Sequence, residues 1–340
     1  MLGEFLCDFI TDGNSINSFL NDLLRSAISK SIVSNGFFME IHIIEAIKSI
    51  AKMLNPQKIE EWTSGYPELQ NEKSIHKKVG VVLAGNIPMV GFHDMMSVLI
   101  SGNIFIGKLS HNDRFLLPAI AEILFHIDEE YRKLIFFTEE KLTNFDAVIA
   151  TGSNNSTRYF EYYFQRFPHI IRKNRNSIAI LNGEETDEDL CLLANDIFMY
   201  FGLGCRNVSK LYFPMGYEIG VLPTCFKHYS FLSDHNKYKN NYDYYKAIFM
   251  LDKKKFYDGV FFILNEDRSL LSPISVINYE FYNDVQSLET DILKYFDKLQ
   301  CIVGKEITKF PLIPFGKTQS PELWDYADNI DTISFLLNLY

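Results

Sequence analysis

Val79–Ala84 reads V-G-V-V-L-A, a short apolar run of the kind that suits a strand buried on both faces. The segments downstream of it decide the architecture. Met89–Ile100 has the spacing of a helix, and Ile104–Leu109 is again a strand. Phe115–His126 predicts a helix, Leu134–Phe137 and Ala147–Ala150 strands, and Asn155–Phe164 a helix. Ile178–Leu181 is a strand and Thr186–Tyr200 a helix opened by the acidic run Glu184–Asp189, which suits the positive end of a helix dipole. A strand at Leu211–Phe213 continues the series. Strands that alternate with helices in this way predict an α/β fold with largely parallel sheets.

Upstream, residues 1–75 read as a mainly helical segment. Ile16–Ala27 and His42–Met53 carry helical periodicity, Pro56 punctuates the second, and Trp62–Pro67 reads as a turn-rich connection. The expected organisation is four parts. A helical segment (1–75) precedes a nucleotide-binding α/β domain (76–176), a catalytic α/β domain (177–315) and a C-terminal segment (316–340).

The 340 residues carry a formal net charge of −10, which gives no general attraction to nucleic acid or anionic lipid. No apolar run reaches the length of a membrane span, and Met1–Asp12 lacks the basic start of a signal peptide. The five cysteines form no C-x-x-C pair, so neither a zinc site nor a dithiol motif is expected, and a reducing, cytoplasmic setting is.

Open α/β sheets bind ligands where the carboxyl ends of their strands emerge. Three segments stand there: Gly85-Asn86-Ile87-Pro88, Lys108-Leu109-Ser110 and Thr151-Gly152-Ser153. Each also reads as ordinary structure, the first as a turn, the second as a solvated strand end, the third as a helix cap. No G-x-G-x-x-G follows any strand, so a nucleotide needs another recipe. Between helix and strand lies Phe201–Lys210, F-G-L-G-C-R-N-V-S-K. Gly202 and Gly204 can free the backbone around Cys205, and the neighbouring Arg206 favours a thiolate, which forms and releases thioesters. The alternative for Cys205 is a buried small hydrophobe. His93 and Asp94 invite an acid–base role but fit helix packing and capping, and His228–Leu251 reads as a helix with its connecting loop.

Taken in order, these segments resemble the aldehyde dehydrogenase superfamily, and more closely the bacterial long-chain acyl-CoA reductases that supply aldehyde to luciferase. G-N-I-P (85–88) resembles the superfamily's N-x-P segment, which implies that Asn86 holds an oxyanion together with the nucleophile's N–H. S-G-N-I-F-I-G-K-L-S (101–110) resembles A-G-N-x-x-x-x-K-P-S, which implies ribose or 2′-phosphate contacts for Lys108 and Ser110; Leu109 replaces the usual proline. T-G-S (151–153) resembles the turn that holds a pyrophosphate, so Thr151, Gly152 and Ser153 join the cofactor set. Cys205 takes the place of the nucleophile, P-F-G-K (314–317) resembles P-F-G-G, and residues 320–332 resemble the acyl-CoA reductase branch.

Two departures from the superfamily pattern matter. His169–Ser177, where hydrolytic relatives carry a glutamate that activates water, holds no carboxylate. An enzyme without that base should hydrolyse its thioester poorly yet can still pass the acyl group between thiols and hydride, which favours an acyl-CoA reductase over an aldehyde oxidiser. Ser269–Pro273 keeps only the proline of E-x-F-G-P, so the glutamate contact to the nicotinamide ribose is not carried over. The resemblance implies two α/β domains and reduction of a fatty acyl-CoA to aldehyde through an acyl-cysteine. The cofactor it implies is NADPH, with NADH as the alternative, and no metal. Acyl-CoA or an acyl carrier would be the substrate, an acyl-transferase or synthetase a partner, and a homo-oligomer the assembly. A nonreductive thioester acyltransferase, a short-chain CoA-acylating dehydrogenase and a catalytically silent scaffold are the competing readings.

Overall fold

A computed structural model describes residues 1–11, 18–70, 75–152, 154–305 and 308–339. The chain forms two compact units, Met1–Asn174 with Pro321–Tyr340, and Arg175–Ser320.

The first unit opens with four helices, α1 (Leu2–Thr11), α2 (Ser18–Ser34), α3 (Glu40–Met53) and α4 (Pro56–Ser64). Pro56 both ends α3 and starts α4, where its missing N–H costs nothing; the Asn55 side chain caps the new helix by accepting from Gln57 N at 2.9 Å. This corrects the turn expected over Trp62–Pro67: Trp62 is helical and buried, and its Nε1 donates to Tyr326 Oη at 2.7 Å. The indole needs both an apolar bed and one acceptor, and residue 326, remote in sequence, provides the acceptor.

The unit's sheet comprises β1 (Lys78–Val82), β2 (Ile104–Lys108), β3 (Ile135–Thr138), β4 (Ala147–Thr151) and β5 (His169–Arg172), in the order β3-β2-β1-β4-β5. Every pairing is parallel. Val79, Val81 and the whole A-V-I-A run of β4 are buried, as expected of central strands covered by helices on both faces. The helices α5 (Phe92–Ile100), α6 (Leu116–Ile127) and α7 (Asn154–Phe164) connect β1 to β2, β2 to β3 and β4 to β5, and a loop joins β3 to β4. The chain runs outward from β1 to β2 and β3, then returns to β1's other side for β4 and β5. The strand order therefore reverses between β1 and β4, the switch point at which such sheets bind ligands.

The second unit's six-stranded sheet has the order β11-β6-β7-β10-β9-β8. Its strands are β6 (Asn176–Ile180), β7 (Val208–Pro214), β8 (Phe256–Asp258), β9 (Ile263–Glu266), β10 (Val276–Tyr282) and β11 (Leu299–Gly304). Only the edge pair β8–β9 is antiparallel. Between β6 and β7 lies α8 (Asp187–Phe198), followed by the segment that carries Cys205. After β7 come the short α9 (Leu222–Cys225) and α10 (Asn236–Leu251), and α11 (Val285–Leu293) joins β10 to β11. The acidic run is a helix start as the charge pattern predicts, built as a capping box: Thr186 Oγ1 accepts from Asp189 N, and Asp189 Oδ2 accepts from Thr186 N. Glu185 lies just outside it and receives the N–H groups of Asn182 and Gly183 instead. No helix among the described residues is long and apolar enough to cross a membrane.

Candidate active site

Cys205 is exposed, as is Cys7, whereas Cys225 and Cys301 are buried and Cys191 lies between. The chain reaches Cys205 through a left-handed turn. Tyr200 (φ 53°), Phe201 (φ 59°) and Gly202 (φ 73°) all occupy the left-handed region. Sequence led to the glycines, but two of the three residues are aromatic, each disfavoured there by about 1–2 kcal/mol. Such a turn persists only where surrounding contacts fix it.

Asn207 provides them. It is 2% exposed; its Nδ2 is shared among the carbonyls of Asp196 (3.1 Å), Ile197 (3.3 Å) and Met199 (2.9 Å). Its Oδ1 accepts from Gly204 N at 2.8 Å. One amide thereby ties off the end of α8, where carbonyls lack helical partners, and fixes the residue before the cysteine. Ser177 Oγ donates to Cys205 O at 2.9 Å, anchoring the cysteine's own backbone to β6. On the far side Arg206 Nε donates to Thr318 O at 2.6 Å. The guanidinium thus holds a carbonyl, and its charge acts on the Asp196 carboxylate.

Asp196 completes the frame. It is fully buried and accepts from Gly316 N (2.6 Å), Thr318 N (3.0 Å) and Thr318 Oγ1 (2.7 Å). Gly316 stands at φ 76° in P-F-G-K, and a Cβ there would press on Leu192 at 2.9 Å. Burial raises the Asp196 pKa to about 6 against the pull of these donors and of Arg206. Between pH 4 and 6 the folded chain thus keeps a proton that the unfolded chain has released, so this group's contribution to stability falls as pH rises through that window. The melting temperature of wild type relative to Asp196→Asn should accordingly rise when the pH is lowered from 7 to 5. Calorimetry at both values checks the sign; a constant difference would mean that Asp196 titrates normally.

In the first unit the candidate segments stand at neighbouring strand ends. Asn86 follows β1 and is exposed. Gly85 before it lies so close to Ser110 that a Cβ would meet Ser110 Oγ at 2.4 Å, so the segments after β1 and β2 are in contact. Asn35 joins them: its Nδ2 donates to Asn112 O at 3.2 Å and reaches Gly85 O at 3.5 Å. Lys108 closes β2 and donates to Glu139 O, beyond β3, at 2.8 Å. Ser110 is half-buried and accepts from Asn112 N at 3.3 Å. Thr151 ends β4, and a Cβ on Gly152 would meet Phe160 at 2.7 Å and Ser156 at 2.9 Å, so glycine permits α7 to pack back on the strand. Ser153 lies outside the described residues.

Beneath the Asn86 segment sits Asp113, 5% exposed, which sequence reasoning missed. Its Oδ2 accepts from Met89 N at 2.7 Å, and burial raises its pKa to about 6 while the N–H groups of Met89 and Leu116 draw it back. His93 and Asp94 are structural, as their helix position suggests, although Asp94 pairs where a cap was expected. His93 Nε2 is 2.8 Å from Leu323 O, and Asp94 Oδ2 holds Arg172 Nη1 at 2.7 Å in a buried ion pair. Burial lowers the His93 pKa, favouring the neutral ring. The stretch His169–Ser177 contains β5, a strand that its sequence had not suggested, and the start of β6, which begins two residues before the strand expected at Ile178–Leu181.

The fold is that of the aldehyde dehydrogenases. Propionaldehyde dehydrogenase from the Clostridium phytofermentans fucose utilisation microcompartment superposes with a TM-score of 0.58 at 8% identity, over 90% of this chain and 77% of that one. Aldehyde dehydrogenase 21 from Physcomitrella patens, solved with succinate, gives 0.56 at 14% identity, over 90% and 73%. Indole-3-acetaldehyde dehydrogenase from P. syringae, solved with NAD+ and IAA, gives 0.53 at 10% identity, over 85% and 72%. Within that fold, residues 55–219 match the family model of acyl-CoA reductase (LuxC), a stretch that includes Asn86, Lys108, Thr151 and Cys205. The resemblance read from the sequence motifs is thus found again by family and by fold, and it indicates an oxidoreductase acting on acyl or aldehyde groups. No curated protein matches the chain.

Proposed function

We propose that this chain reduces a fatty acyl-CoA to the corresponding aldehyde through a thioester on Cys205. The observation that carries the reading is an exposed cysteine three residues beyond a left-handed turn, with Ser177 on its own carbonyl, Asn207 on the N–H of Gly204 before it and Arg206 after it tied to Thr318 O. A thiol needed only for packing would have no use for such a frame. The Cys205 thiolate attacks the thioester carbonyl carbon, a new C–Sγ bond forms, and the C–S bond to CoA breaks with CoA leaving as thiolate. After reduction of the acyl-cysteine, the thiohemiacetal loses its hydroxyl proton, the C–Sγ bond breaks, and aldehyde departs. The resemblance gives Asn86 the amide that steadies the oxyanion in both steps. Residues 169–177 offer no carboxylate to activate water, so hydrolysis of the thioester should be slow.

A nicotinamide cofactor supplies hydride when bound. The residues fit such a group. The strand order reverses at β1 and β4, Lys108 offers an ammonium at the end of β2, and the Thr151–Gly152 turn leads from the end of β4 into the N-terminus of α7. Lys108, Ser110, Thr151 and Gly152 would hold it. NAD+ stands in the P. syringae relative; the lysine favours the additional phosphate of NADPH. Lys108→Ala should weaken NADPH binding about tenfold and NADH binding less, with little change in acylation of Cys205. Fluorescence titration of both cofactors checks this; equal losses would argue against a phosphate contact.

The reading is tested by nicotinamide absorbance on mixing protein, NADPH and acyl-CoAs of increasing length. Oxidation matched by aldehyde supports the reductase, and the series ranks chain lengths. CoA release without cofactor consumption would replace it with a thioester acyltransferase.

A further inference from the structure

One buried aspartate links the segment that carries Asn86, through its carboxylate, to the one that carries Ser110, through its own backbone. Asp113 Oδ2 accepts from Met89 N at 2.7 Å, three residues beyond Asn86. Its own N–H donates to Ser110 O at 3.2 Å, and the two residues pair as an isolated antiparallel bridge. Met89 is itself in the left-handed region, at φ 55°, and buried. A non-glycine residue holds that conformation only against a local preference for the right-handed region, so the 85–89 segment depends on what grips its N–H.

We propose that Asp113 is a positioning residue for Asn86. By fixing Met89 in its left-handed conformation it sets the path of the segment after β1, and so the direction of the Asn86 amide. This rests on the reading of Asn86 as the oxyanion donor. The geometry separates Asp113 from general packing, because its bond falls on the one strained residue of the segment. Asn35 grips the same segment at Gly85 O, at the longer distance of 3.5 Å, so the carboxylate is the firmer anchor.

The test is a double-mutant cycle read by the rate of Cys205 acylation, measured as CoA release. Asn86→Ala should slow acylation about a hundredfold. Asp113→Ala should slow it about tenfold in the wild-type background and scarcely at all in the Asn86→Ala background, because there is no amide left to misplace. Cofactor binding, followed by fluorescence, should stay near wild type in both. Should Asp113→Ala fail to fold, Asp113→Asn takes its place: it keeps one acceptor for Met89 N but puts a donor into a buried site, and its smaller loss should likewise vanish without Asn86. A loss that persists undiminished in the Asn86→Ala background, or no loss at all, overturns the positioning role while leaving Asn86 standing. An Asn86→Ala enzyme that acylates normally overturns both the donor role and the proposal.

Discussion

Cys205→Ala should lower turnover of acyl-CoA by about 10⁴-fold or more, because in the proposed reaction its thiolate is the group that carries the acyl chain between CoA and hydride. The effect belongs to chemistry and not to folding. Cys205 is exposed, so removing its sulfur leaves no cavity, and the bonds that shape its loop come from Ser177, Asn207 and Arg206. The melting temperature should therefore stay near wild type, and so should NADPH binding, since Lys108 belongs to the other compact unit. Intact-mass measurement after mixing with acyl-CoA gives the direct readout. Wild type should gain one acyl group, mapped to the peptide with Cys205, and the variant none. Acylation that persists in the variant, at exposed Cys7 for example, would end the reading of Cys205 as nucleophile.

Asn207→Leu should produce the second large effect, this time on stability and activity together. Leucine matches the volume but makes none of the four hydrogen bonds. The carbonyls of Asp196, Ile197 and Met199 and the N–H of Gly204 would lose the partner that the Asn207 amide supplies. At about 1–3 kcal/mol for an orphaned buried polar group, with some relief from water at the loop, the loss should be roughly 3–5 kcal/mol. The left-handed turn at 200–202 loses the bonds on either side of it, so Cys205 no longer has a fixed direction of attack. A displaced nucleophile costs about a hundredfold in acylation. Asn207→Asp is the informative partner: it retains an acceptor for Gly204 N but sets an acid against three carbonyls, and should fail nearly as badly. Denaturant titration and the rate of CoA release measure both effects. Stability lost with acylation unchanged would show that the turn matters for folding alone.

The two frames explain why reading the chain went far on some points and not on others. The parallel strands of the first unit are legible because V-G-V-V and A-V-I-A are apolar in runs that only a doubly covered strand can bury, and their limits differ from the structure by one or two residues. The sequence also picks out Lys108 and Thr151 as residues at strand ends, and the structure puts both there. β5 is four residues, H-I-I-R, and has neither length nor alternation to declare itself; it becomes a strand because β4 offers it an edge. Trp62 reads as part of a turn when judged by the glycine and proline after it, yet it sits in a helix whose apolar face rests on residue 326.

Sequence by itself determined the alternation of elements, and with it the α/β class. It also set the order of the motifs that resemble the acyl-CoA reductases and the cysteine placed directly after two glycines. All of these depend on residues near one another in the chain, where burial periodicity and backbone freedom act locally. Only the tertiary structure decided how the loop of Cys205 and the segment after β1 are held. Asn207 is an ordinary polar residue in the sequence, and becomes a clamp because the end of α8 and the start of β7 are brought together around it. Asp113 and Asp196 look like surface acids until the fold buries them against backbone N–H groups. A buried polar side chain is defined by the partners that offset its desolvation, and those partners are chosen by the packing of distant segments.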